Sequence, residues 1–79
     1  MHVSLAVDAI EKAFFQECVA NPTPFRNAGY GAMVIQHRFS DLLDQGHGDE
    51  AAAREKAILL AAAALRFLVD LCPNPPDEK

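Results

Sequence analysis

The densest run of side chains able to do chemistry is His37, Asp41, Asp44, His47 and Asp49. His37 and Asp41 stand four apart, so in a helix they share a face, and Asp44 follows near that face. Imidazole together with carboxylates could hold a divalent cation or move protons. The spacing matches no established metal motif, and the plainer reading is a solvated helix end running into a turn. Four arginines, Arg26, Arg38, Arg54 and Arg66, are spread over three segments. If the fold or an oligomer gathers them, guanidinium groups could hold a phosphate or a partner's carboxylates through paired hydrogen bonds. If it does not, they pair locally on the surface, as Arg66 would with Asp70 four residues on. Ser4, Thr23 and Ser40 lie in no Gly-x-Ser-x-Gly setting, and no glycine-rich phosphate loop precedes a helix, so nucleophilic catalysis has no support. Cys18 and Cys72 have no zinc-type spacing and sit among apolar residues, where buried thiols behave as small hydrophobes. A disulfide between them would require an oxidising compartment. No catalytic set, resident metal or cofactor follows from these residues.

The most unusual stretch is Asn-Pro-Thr-Pro-Phe-Arg-Asn-Ala-Gly-Tyr-Gly, Asn21 to Gly31. Prolines stiffen it and glycines permit close approach. Phe25, Arg26, Asn27 and Tyr30 provide an aromatic, cationic and amide surface of the kind enriched where proteins bind one another. The competing reading is a crossover loop in which Phe25 and Tyr30 plug the core.

Three segments must position these groups. In the first, about 3–20, apolar residues recur at Val3, Ala6, Val7, Ile10, Ala13, Phe14 and Cys18, the steps of three and four that mark a helix. The second, about 28–45, repeats Ala28, Ala32, Ile35, Phe39 and Leu42 in a heptad-like seam. Its glycines predict an irregular first turn, with firm helix from near Ala32. The third, about 49–72, starts at Asp49, a good N-cap, and becomes apolar on more than one face from Ala57 onward. Pro22 and Pro24 separate the first two segments, and Gly46 to Asp49 separate the last two. So short a second connection makes an antiparallel αα-hairpin. No segment alternates with the period of a strand. The expected fold is all-α: one three-helix domain over residues 1–72, with a proline-rich tail at 73–79.

A chain of 79 residues buries only about 60% of its unfolded surface, so a monomer is marginal. The alanine-rich third helix, apolar on two faces, therefore points to a homo-oligomer formed through residues 49–72. A formal charge of −4 argues against nucleic acid, which selects a basic surface. The longest uncharged apolar run, Ala57 to Leu65, is too short for a membrane span, which takes about 20 residues. The start lacks the basic end and apolar core of a signal peptide, so a cytoplasmic location is expected.

The hairpin from Ala32 to Leu71, above all Arg-Glu-Lys-Ala-Ile-Leu-Leu-Ala-Ala-Ala-Ala-Leu-Arg-Phe-Leu (Arg54 to Leu68), resembles part of the MazG-like nucleotide pyrophosphohydrolases. The resemblance implies an all-α oligomer that hydrolyses nucleoside triphosphates with magnesium. Asp41, Asp44 and Glu55, joined by His37, would then surround the metal. The family's second acidic pair is incomplete here, because Ile58 stands where a carboxylate is required; magnesium demands several oxygen ligands. The sequence thus supports a small non-enzymatic helical module that binds another protein as a regulator or inhibitor, with a MazG-like, catalytically degenerate protein as the alternative.

Overall fold

The computed structural model describes residues 1–72; the expected tail at 73–79 lies outside the described residues. Three helices and no strand make up those residues: α1 (Val3–Ala20), α2 (Ala28–Gln45) and α3 (Glu50–Leu71). The all-α, three-helix expectation holds, with Asp49 and Cys72 as the caps of α3 rather than its ends.

Each boundary has a local cause. His2 caps α1, its ring nitrogen accepting from the Ser4 N–H at 3.2 Å. Pro22 prevents α1 from continuing beyond Asn21, since proline has no N–H to donate. Asn27 caps α2 by accepting from the Tyr30 N–H at 2.8 Å. That cap corrects the expected irregular first turn: α2 is helical from Ala28. Gly48 makes the hairpin turn at φ 78°, a left-handed conformation that suits glycine. Asp49 then accepts from the N–H groups of Ala51 and Ala52 at 3.0 and 3.2 Å, satisfying two of the free donors at the start of α3.

Helix α3 is the centre of the module. Both α1 and α2 pack on it, and their backbones do not pack on each other. Helices α2 and α3 form the expected antiparallel hairpin, drawn close at Gly31, where an added Cβ would meet Phe67 at 2.7 Å and Leu71 and Phe25 at 3.0 Å. The buried residues among those described are small, Ala13, Gly31, Ala62 and Ala63, together with Arg66. Ile10, Ile58, Leu59, Leu60 and Phe67 are half-buried. Alanine brings helix axes together but contributes little apolar area, roughly a methyl group each. Val3, Leu5, Val7, Phe15 and Val19 of α1 remain exposed, as do Leu68 and Val69 of α3. The stripe on α1 is thus only partly used: the side holding Ala13 faces α3, while Val3 and Val7 lie beyond it. Cys18 is half-buried and Cys72 exposed, so Cys72 departs from the expected buried thiol; both are free.

Candidate functional site

Because α1 and α2 flank α3 without touching along their backbones, a cleft of about 540 Å³ opens between them. Ala62 and Ala63 of α3 form its floor, and the Asn21–Arg26 loop lies across one end. A larger side chain at either alanine would take up this space.

Arg66 holds the loop in place. Its residue is 5% exposed, yet its guanidinium is well satisfied. Nε donates to Asp70 Oδ2 at 3.1 Å, and the same oxygen accepts from the Phe25 N–H at 3.1 Å. Nη2 donates to the carbonyls of Asn21 and Thr23 at 2.6 and 2.8 Å, and Nη1 to that of Glu17 at 3.4 Å. The Glu17 carbonyl also accepts from the Asn21 N–H at 2.8 Å, but those of Asn21 and Thr23 need a donor from elsewhere. The last carbonyls of a helix have no partner of their own, and Pro22 and Pro24 remove two loop N–H groups. No basic residue occupies the last turn of α1. Arg66 therefore supplies, from α3, both the donors and the positive charge that the carbonyl end of a helix attracts.

The loop side chains stack outward from this anchor. The Arg66 guanidinium lies 5.1 Å from the Phe25 ring centre. Phe25 meets Tyr30 edge-to-face at 5.8 Å, and Arg26 sits over the Tyr30 ring at 4.9 Å. Such contacts contribute about 0.5–1 kcal/mol each at exposed sites. On the opposite wall Arg38 Nη2 donates to Glu17 Oε1 at 2.6 Å, tying α2 to α1 across the cleft. Three guanidinium groups and the single carboxylate of Glu17 thus line the cleft, a local positive excess in a chain of formal charge −4.

Phe25, Arg26 and Tyr30, singled out from the sequence, form one continuous surface. Phe25 is half-buried, as a crossover loop would have it, while Arg26 and Tyr30 are exposed, so Tyr30 does not plug the core. Asn27 is spent on capping α2. Of the four arginines, Arg26, Arg38 and Arg66 converge on the cleft, whereas Arg54 lies with Glu55 and Lys12 at a shallower depression between α1 and α3. Arg66 pairs with Asp70 as its spacing suggests, but in the interior instead of on the surface. Asp41 is half-buried on α2, while His37, Asp44 and Glu55 are exposed. Among the described residues, no three His, Cys, Asp or Glu side chains come close enough to hold a metal ion. Sequence reasoning missed Glu17, Ala62 and Ala63 as parts of a site. The available signal was Arg66 itself, a lone charge amid Leu65, Phe67 and Leu68.

In comparison with known proteins, the chain matches no protein family, no curated protein and no solved structure. No helix among the described residues is long and apolar enough to cross a membrane.

Proposed function

We propose that the protein is a small non-enzymatic binding module that acts as a regulator or inhibitor by occupying a surface of another protein. The observation that carries this reading is the stack of Phe25, Arg26 and Tyr30, held from below by Arg66. An aromatic and arginine surface fixed in advance loses little side-chain entropy when it binds. Arg26→Ala combined with Tyr30→Ala removes the exposed part of the stack and leaves the Arg66 anchor in place. A protein retained by the immobilised wild type and lost with the double variant, at unchanged helicity, is the expected result. Equal capture by both would refute the assignment.

The module also self-associates through the outer face of α3. Ala57 and Leu68 are exposed on that face, and Ala61 and Ala64 are half-covered, so a second helix could approach closely. Light scattering on a sizing column across a dilution series tests this directly. A monomer at every concentration would remove self-association from the reading.

A further inference from the structure

We propose that the cleft between α1 and α2 is a binding site for a small organic acid, a carboxylate or phosphate group carried on a compact apolar body. The inference rests on reading the loop and cleft as a binding surface, and it names the chemistry that the surface receives. A guanidinium carries five N–H donors. Four of those of Arg66 are committed, to Asp70, to the Glu17 carbonyl of α1 and to the loop carbonyls of Asn21 and Thr23. Arg38 makes one hydrogen bond, to Glu17, and Arg26 stacks on Tyr30 with no hydrogen-bond acceptor among the described residues. Two arginines at one cleft therefore hold donors that no acceptor among the described residues uses, which favours an oxyanion and disfavours a cation.

Glu17 already shows the fit, since its carboxylate accepts from Arg38 at 2.6 Å inside the cleft. An incoming acid would make the same bond and displace it. The methyl floor of Ala62 and Ala63 and the adjoining Val34 suit an apolar body. A volume of about 540 Å³ lies within the range of roughly 300–1,000 Å³ usual for small-ligand sites.

The test is an NMR titration of backbone amides in the full chain with inorganic phosphate, benzoate and phenyl phosphate. Saturable shifts are expected at Tyr30, Val34, Ala62 and Ala63. Phenyl phosphate should bind about tenfold more tightly than inorganic phosphate because its ring is buried. Benzoate against phenyl phosphate decides which acid group is preferred. Arg38→Gln should weaken binding at least about tenfold. Glu17→Gln should strengthen it several-fold by removing the competing carboxylate, a gain that mere loss of an inter-helix ion pair would not produce. That second variant decides the matter if Arg38→Gln fails to fold. Shifts confined to Lys12, Arg54 and Glu55 at the depression between α1 and α3, or no saturation by about 50 mM, would overturn the site. Partner capture that persists without anion binding overturns the acid site alone; anion binding without capture overturns the partner reading alone.

Discussion

Removing Arg66 should be the most damaging single truncation among the charged residues of the module. Arg66→Ala strips Asp70 of its guanidinium partner and leaves that carboxylate, whose side chain is 14% exposed, with the Phe25 N–H alone. It also leaves the carbonyls of Asn21 and Thr23 without their donor, while that of Glu17 keeps the Asn21 N–H. Breaking a buried ion pair from one side costs about 3–5 kcal/mol. The Asn21 and Thr23 carbonyls belong to exposed residues and can take up water, which places the cost near the lower end, at about 3 kcal/mol. A chain of this size has roughly 4–12 kcal/mol of stability in total. The variant should therefore lose a quarter or more of it. With a urea slope near 1 kcal/mol/M, the unfolding midpoint followed by circular dichroism should fall by about 3 M. Arg38→Ala is the internal comparison. Its ion pair with Glu17 has side chains 30% and 23% exposed, so its loss should cost less than about 1 kcal/mol. A loss for Arg66→Ala below about 1 kcal/mol, or one no larger than for Arg38→Ala, would refute the role of Arg66 as the anchor.

Gly31→Ala should destabilise the fold by about 1–3 kcal/mol although alanine is the better helix former, because the new methyl meets Phe67 at 2.7 Å. Gly29→Ala, whose nearest neighbour is Asn27 Oδ1 at 3.4 Å, should instead stabilise by about 0.5–1 kcal/mol; the same sign for both glycines in thermal melts would contradict the packing seen at Gly31. Asp49→Ala removes the cap that receives two N–H groups of α3 and should cost about 1 kcal/mol, an effect that Asp49→Ser should largely restore in the same melts. Leu68→Glu places a charge on a residue already 59% exposed; it should leave helicity unchanged and shift the light-scattering mass towards monomer, and an unchanged oligomer would exclude this face.

The helices were legible because their signals are local. Pro22 stops α1, Asp49 starts α3, and the spacing of Val3, Ala6, Ile10 and Ala13 requires a helix whatever packs against it; Asn27, read as a surface residue, is the cap of α2. The loop was legible as a surface for the same reason: Phe25, Arg26 and Tyr30 are near enough in sequence to meet. The glycines of α2 were misread as a sign of local irregularity. Gly31 is helical, and its missing side chain is needed by Phe67, thirty-six residues away. Periodicity also says which residues of α1 form a stripe but not which of them another helix will cover. Ala13 is buried while Val3 is exposed because the backbone of α1 packs only on α3. The cleft lay beyond local reasoning altogether, since it exists through the separation of α1 from α2.

The placement of Arg66 explains why an apolar helix carries a charge towards its interior. Aliphatic replacement of a buried ion pair is often neutral or better when the surroundings are apolar. Here the surroundings are carbonyl oxygens, contributed by the end of α1 and by a loop whose prolines give no N–H in return. A leucine at this position would fill the volume and leave the Asn21 and Thr23 oxygens without that donor, so the loop would turn towards water and carry Phe25 with it. The interior arginine is thereby consumed by structure. The groups free to meet a ligand are the two arginines at the margin, and Arg66 fixes the loop that presents one of them. On the binding proposed above, stability and recognition separate by residue within one small cleft: Arg66 and Asp70 hold the loop, while Arg26, Arg38 and Glu17 would set what it binds.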